Sequence, residues 1–401
     1  MPSSAAPTSQ LAQNLEAVRP AVLEMARFIH ANPELSFEEV KAAAAITSLL
    51  EAHGFGVERG TGGLDTAFTA TIGSGELVVA ICVEYDCLPE VGHACGHNLI
   101  AGSTVGAALA LAPLVDELGI TLKAIGTPAE EHGGGKSLLL DAGAFDGVGL
   151  SLMAHPVPEG RTANPAGTSS QAVGRFRATF AGQAAHAAAM PHRGINAADG
   201  AVLSQVAVGL LRQQLPDDHR TALFVREAGV ATNIIPDRAV VDFECRAFTL
   251  PEYESLLSRV RACFEGAALA SGTELSIEDI EPLYEPLNQD LQLSEHWNAA
   301  FGSRGHDVTP APDSSGGGST DMGNISQVIP SIHPMFGIPG ATVPIHSAGF
   351  TAVADTPAAY EAMFDAAYAL AATVAGAASN PEQKARFTAA AYHPASAEAL
   401  A

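Results

Sequence analysis

LVVAICVEYDCLPEVGHACGHN, residues 77–98, runs from seven apolar residues directly into a stretch crowded with carboxylates, thiols and imidazoles. The apolar part, LVVAICV (77–83), has strand length and no polar face. That is the pattern of a strand covered on both sides in a doubly wound α/β sheet. ITLKAIG (120–126) and GLSLMA (149–154) repeat it, separated by a helical segment or by longer connections. Each run ends in ionisable residues: Glu84 and Asp86 after the first, Glu130 and Glu131 after the second, His155 after the third. Open α/β sheets bind ligands outside the carboxyl ends of their strands, so the three runs predict one shared site.

Outward from this centre, Leu11, Leu15, Val18, Val22, Met25 and Ile29 recur at helical spacing, with Pro20 expected to kink or restart the helix and Asn32-Pro33 to stop it. FEEVKAAAAITSLLEAHG reads as a second helix closed by Gly54. From 168 to 284 the character changes to a β-α-β-β-α-β succession. This predicts a smaller, ferredoxin-like α+β domain inserted between the two parts of the catalytic domain, 1–167 and 285–401. PDSSGGGSTDMGN (312–324) reads as a returning site loop, followed by the apolar segments SQVIPSIHPMFG and ATVPIHSAG, which lead to His346. MPSSAAPTSQ is expected to be a frayed start without signal-peptide character, and AAYHPASAEALA a loose tail.

The 401 residues are 47% hydrophobic, ample for packed cores. Against 44 Asp and Glu stand 20 Lys and Arg, a net charge of −24 that repels phosphate backbones and anionic membrane surfaces. Nucleic acid and membrane are therefore not expected partners. Apolar runs such as AALALAPLV are interrupted before membrane-spanning length, which predicts a soluble protein. Five cysteines, at 82, 87, 95, 245 and 263, are an odd number without a disulfide framework, and point to a reducing, cytoplasmic setting.

Cysteine is commonly buried as a small hydrophobe and histidine as a hydrogen-bonded core residue, so Cys95-x-His97 alone favours structure. The flanking Gly92 and Gly96 tighten the loop, however, and thiolate with imidazole suits zinc or a similar metal in an open, catalytic site. Glu130-Glu131 read alone is a solvated acid pair. Placed after a buried strand and before HGGGKS, the two can divide the work of ligating metal and moving protons. GGGKS evokes a phosphate loop, but Glu130 stands where that motif needs glycine. His155 and His346 would add two imidazoles; His93, His132 and His333 are weaker candidates, and His192 is uncommitted.

FIHANPELSFEE, EYDCLPEVGHACGHN, GTPAEEHGGGK, LMAHP, GQAAHAAAMPHRGINA, NIIPDRAVVDFECR and STDMGN with PIHS together resemble the M20 family of metallopeptidases and amidohydrolases. The resemblance runs in order over nearly the whole chain. HACGHN with PAEEHGGGK is similar to its cysteine-containing branch of aminoacylase-like and aminobenzoyl-glutamate-hydrolase-like enzymes. It implies a small-molecule amide substrate and two divalent metal ions, zinc first, with manganese, cobalt or nickel as alternatives. It also implies a homodimer assembled through the inserted lid domain.

Carried onto this chain, the resemblance makes Cys95 the bridging ligand and His97, Glu131, His155 and His346 the other ligands. Glu130 becomes the general base and Asp86 the group that orients the ligands. Glu84-Tyr85-Asp86 departs from the His-x-Asp of many members, which leaves the filling of the two metal positions open. Arg246 is the natural clamp for a substrate carboxylate, with Asn233 as its polar neighbour, against the plain alternative of a strand-surface ion pair. His186 would cross the dimer interface and donate to the oxyanion in the partner's site. The implied reaction is hydrolysis of an N-acyl amino acid or similar small amide. A dipeptidase of the same family and a non-catalytic binding protein on the same fold are the alternatives.

Overall fold

The helical periodicity between Leu11 and Ile29 becomes α1 (Ala5–Ala31), which buries Leu11, Leu15, Val22, Met25 and Ile29 along one face. The computed structural model describes residues 5–308 and 318–394. The helix begins at Ala5, within the stretch read as frayed, and Pro20 lies inside this single element and does not start a second one. Residues 1–4, residues 312–317 of the expected site loop and residues 395–401 of the expected tail lie outside the described residues.

The chain forms two compact units, one of Met1–Ser169, Leu287–Gly316 and Asp321–Ala401, the other of Ser170–Pro286 and Gly317–Thr320. In the first, α1 is followed by α2 (Val40–Ala52), β1 (Gly56–Arg59), β2 (Phe68–Ile72), β3 (Leu77–Val83), α3 (His97–Leu111), α4 (Val115–Leu118), β4 (Ile120–Gly126), α5 (Gly135–Asp141), β5 (Val148–Leu152) and β6 (His155–Pro158). β3 and β4 coincide with the apolar runs LVVAICV and ITLKAIG, and β5 lies one residue earlier than GLSLMA begins.

β3 pairs in parallel with β4 and β5, setting Val83 opposite Gly126 and Ile81 opposite Leu152. The segments after these strands therefore leave the sheet at the same edge. β2 runs antiparallel to β4, and β1 antiparallel to β2, so the sheet is mixed at that side.

The second unit contains β7 (Ala172–Ala181), β8 (Ala185–His186), α6 (Ala197–Leu211), β9 (Arg220–Glu227), β10 (Ile234–Ile235), β11 (Arg238–Ala247), α7 (Leu250–Ser271) and β12 (Glu274–Asp279). Its four-stranded antiparallel sheet has the order β12-β7-β11-β9. Period-two alternation turns Phe176, Ala178, Phe180, Val241, Phe243 and Cys245 toward α6 and α7. Asp242 and Glu244 alternate with them and pair with arginines instead.

The chain returns to the first unit with α8 (Leu291–Ser303), α9 (Met322–Val328), β13 (Ser331–Ile332), β14 (Met335–Ile338), α10 (Ala348–Val353), α11 (Pro357–Ser379) and α12 (Pro381–Ala389). The completed six-stranded sheet has the order β1-β2-β4-β3-β5-β13. The run ATVPIHSAG forms no strand; it leads into α10. Tyr392, in the expected loose tail, is tied to Gly147 and Val148 by two backbone hydrogen bonds.

Contrary to the expectation from run length, two helical segments, His97–Leu118 and Pro357–Ser379, are long and apolar enough to cross a membrane by length and composition. Small uncharged residues before position 107 extend the first segment beyond the interrupted run. Both segments are largely buried, and α3 packs against α1 and α11, the position of core helices.

One buried acid supports the loop after β4. Glu39 is fully buried and accepts hydrogen bonds from the Phe37 N–H (2.9 Å), the Ala129 N–H (2.9 Å) and Thr66 Oγ1 (2.7 Å). Phe37 and Ala129 both hold positive φ, +65° and +62°, a costly conformation for residues with a Cβ. Burial outweighs the hydrogen bonds and pushes the Glu39 carboxyl up from 4.5 to about 7. The folded chain thus binds this proton more tightly than the unfolded chain, so Glu39's contribution to stability falls as pH rises from 4.5 to about 7. In urea unfolding at a series of pH values, Glu39→Gln should lose this slope. The variant should gain roughly 3 kcal/mol on wild type across the window; parallel pH profiles would refute the assignment.

Candidate metal centre

Strand register brings the ionisable residues to one edge, and local geometry then turns them inward. Gly96 adopts φ +75° immediately before α3, and a Cβ there would sit 2.8 Å from Pro156 Cγ. Glycine therefore lets the Cys95 loop close tightly onto the start of β6. The HGGGK turn is equally constrained, since a Cβ on Gly135 would lie 1.8 Å from the Pro128 carbonyl oxygen. His346 also has positive φ, +62°, and its N–H donates to the Ala94 carbonyl at 2.9 Å, docking the last loop on the Cys95 loop.

At the centre is His97, 1% exposed. Its Nδ1 lies 2.9 Å from Asp86 Oδ1, while Asp86 Oδ2 accepts from Ser36 Oγ and from the Glu131 N–H, both at 3.0 Å. This aims His97 Nε2 at three carboxylates: Glu84 Oε2 at 3.8 Å, Glu131 Oε1 at 3.8 Å and Glu130 Oε2 at 4.0 Å. Two donor groups share the imidazole, Cys95–His97–Glu131 and Glu84–His97–Glu130; within each, the ligand atoms lie within 4.8 Å of one another. Glu84 Oε2, His97 Nε2 and Glu131 Oε1 are buried without a hydrogen-bond partner. Orphaned buried polar atoms are costly, and a divalent cation among them would satisfy all three.

The electrostatics agree. Burial opposes a charged His97, but Asp86, Glu131 and Glu84 raise its pKa well above the usual range. For Asp86 burial is again unfavourable, yet the facing imidazole holds it down at about 2. Burial, followed by Glu84, Glu131 and Asp321, pushes Glu130 well up. Burial, followed by Glu131, likewise raises the Cys95 thiol, so ligation there must displace a proton. His155 is lowered to about 4 by burial and by His97, which keeps the imidazole neutral and fit to ligate.

The other sequence candidates divide. The His155 ring lies 6.0 Å from that of His97, with Nδ1 2.7 Å from the Pro156 carbonyl. It borders the two tight donor groups without joining them. His346 is 58% exposed, with Nε2 4.0 Å from Glu131 Oε2. His333 is buried, its ring 5.8 Å from that of His155. His93 stacks on His30 and reaches the Ile29 carbonyl; His132 and His192 are exposed.

The second half of the centre is only partly visible in the sequence. There Glu84 stands among the ionisable residues after the first apolar run and as a departure from His-x-Asp, without a ligand role, and Lys136 as part of a misleading phosphate-loop resemblance. Both are fully buried and bonded to each other, and Asp321, from the STDMGN stretch, completes the group. The available signal was a lysine directly after glycines that pack against backbone.

In the inserted unit, His186 and Asn233 are exposed neighbours on the short β8–β10 ladder, where the Ala187 N–H donates to the Asn233 carbonyl. The Ala188 and Ala189 N–H groups donate to His186 Nδ1, which places the imidazole's own hydrogen on Nε2. Arg246 is half-buried and already forked onto Glu244, Nε to Oε1 at 2.8 Å and Nη2 to Oε2 at 3.1 Å; Nη1 reaches Ser319 Oγ at 3.2 Å.

The model of peptidase family M20/M25/M40 matches residues 83–369. Xaa-Arg dipeptidase of Mus musculus is 36% identical over 366 residues, 87% of this chain and 84% of that protein. N-acetyl-L-cysteine deacetylase of Bacillus subtilis is 26% identical over 348 residues, 82% of each chain. A Bacillus subtilis structure described as a dinuclear metal binding peptidase of the M20 family superposes with TM-score 0.62 at 24% identity, covering 88% of this chain and 98% of its own. The family match spans the site and the insert alike: the chain belongs to peptidase family M20/M25/M40 and is a metal-dependent hydrolase of amide bonds.

Proposed function

We propose that the protein hydrolyses the amide bond of an N-acyl amino acid or a similar small amide at the centre around His97. The observation that carries this reading is the set of three buried, unpartnered donor atoms beside a further carboxylate, Glu130. Cys95, His97, Glu131, His155 and His346 would hold two divalent cations, zinc first and manganese, cobalt or nickel otherwise. Such ions supply an acidified water and a polarised carbonyl. The Bacillus subtilis neighbour's description as dinuclear supports the count.

The chain's own groups do the rest. Asp86 holds His97 in one tautomer, so that Nε2 stays turned inward. Glu130 takes the water's proton and passes it to the leaving amine. Arg246 binds the substrate carboxylate beside Asn233, through Nη1 or by giving up its bond to Glu244. His186 of one protomer donates from Nε2 to the oxyanion in its partner's site. Val202, Val206 and Leu210 form an exposed apolar stripe on α6, and β9 is a sheet edge; both support a homodimer made through the insert. Five free thiols support a cytoplasmic location. A dipeptidase reading has its own support, since the mouse relative is an Xaa-Arg dipeptidase and a net charge of −24 favours cationic substrates.

Glu130→Gln should retain its metal and lose at least about a hundredfold in kcat; near-normal turnover refutes the base. Cys95→Ser should lower metal content measured by atomic emission, because a hydroxyl is a poorer bridging ligand than a thiolate; full occupancy makes Cys95 a structural thiol. Arg246→Lys should raise KM more for substrates with a free α-carboxylate than for their amides, and equal effects exclude the clamp. His186→Ala should lose about a hundredfold in turnover. Mixed with Glu130→Gln protomers it should regain activity, because one site of each hybrid dimer combines an intact Glu130 with an intact His186. Verified hybrids without recovery would place His186 outside the partner's site.

A further inference from the structure

Lys136 is a fully buried lysine whose charge is bound on two sides. Its Nζ donates to Glu84 Oε1 at 2.5 Å and to Asp321 Oδ1 at 2.6 Å, and its backbone N–H donates to Asp321 Oδ2 at 2.9 Å. All three side chains are 0% exposed, and they come from three separate segments: the end of β3, the first turn of α5 and the residue before α9. Taking three charges out of water is costly, and an apolar cluster of the same volume would hold the segments together as well. The arrangement is therefore explained better by what it positions than by the stability it adds.

Following the acceptors shows what that is. Both Asp321 oxygens are taken by Lys136, and so is Glu84 Oε1. Glu84 Oε2 is left buried and unpartnered, 3.8 Å from His97 Nε2 and grouped with Glu130. Glu84 could turn away from His97 only by breaking its bond to the lysine. We propose that Lys136 is a positioning residue that locks the free oxygen of Glu84 toward the cation that His97 would hold; this rests on the two-cation reading above. Asp321 holds the lysine, the lysine holds Glu84, and Glu84 faces the cation.

The test is calorimetric titration of chelator-stripped protein with Zn²⁺ alone, alongside urea unfolding. Wild type should take up two equivalents. Glu84→Gln keeps an acceptor for Lys136 but can turn an NH₂ group toward His97, so one equivalent should weaken about ten- to a hundredfold while the other is unchanged. Lys136→Met should weaken the same equivalent. If that variant does not fold, Asp321→Asn, which loosens the lysine without removing it, should produce the same selective loss in smaller measure. Two equivalents at wild-type affinity in Glu84→Gln and in the folded partner variant, with only urea stability reduced, would overturn the role of Lys136 and leave the two-cation reading standing. A single equivalent in wild type would overturn both.

Discussion

Asp86 is the acceptor on which the centre depends. Its two oxygens receive the Ser36 hydroxyl, the Glu131 N–H and the His97 imidazole, so one carboxylate ties together the α1–α2 connection, the loop after β4 and the start of α3. It can do so because the parallel register of β3 and β4 delivers both strands to the same edge. The bonds constrain His97 by tautomer and Glu131 by its backbone, and the Ser36 bond ties the α1–α2 connection to the same carboxylate. The facing His97 imidazole, more than the number of donors, lowers Asp86 against its burial, whereas burial and the surrounding acids raise Glu130.

The same edge concentrates acids beyond what the protein alone can neutralise. Glu84, Asp86, Glu130, Glu131 and Asp321 face one lysine, Lys136, and two histidines, His97 and the more exposed His346. The surplus of negative charge, the orphaned donor atoms and the protonated Cys95 are one condition seen three ways. Each is relieved by divalent cations, and each makes their binding coupled to proton release. Backbone strain gathers in the same place: Ala129 and His346 take up left-handed conformations beside Glu130 and the Cys95 loop, held there by Glu39 and by the Ala94 carbonyl.

The inserted unit obeys a different rule. Its antiparallel sheet covers one face with α6 and α7 and leaves the other to charged residues that pair across strands, so the stretch can change its charged face without disturbing its core. Arg246 illustrates the consequence. On the strand it is one partner of an ion pair with Glu244, and any substrate it grips must compete with that fork.

Local pattern carried much of this protein. Seven-residue apolar runs located β3 and β4 to the residue, helical spacing located α1, and the change of rhythm after residue 168 announced the insert, because periodicity and turn chemistry are properties of neighbouring residues. The motif order made the family legible, and with it the expectation of a metal site near Cys95 and His97, residues that the fold brings within reach of Glu131. What the chain could not announce was how charges separated by tens or hundreds of positions would be shared. That Lys136 is buried against Glu84 and Asp321, that Glu39 props the turn at Ala129, that Arg246 is already paired, and that α3 is a core helix despite its membrane-like composition were decided by packing. The cost of a buried charge is set by its neighbours, and only the tertiary structure chooses them.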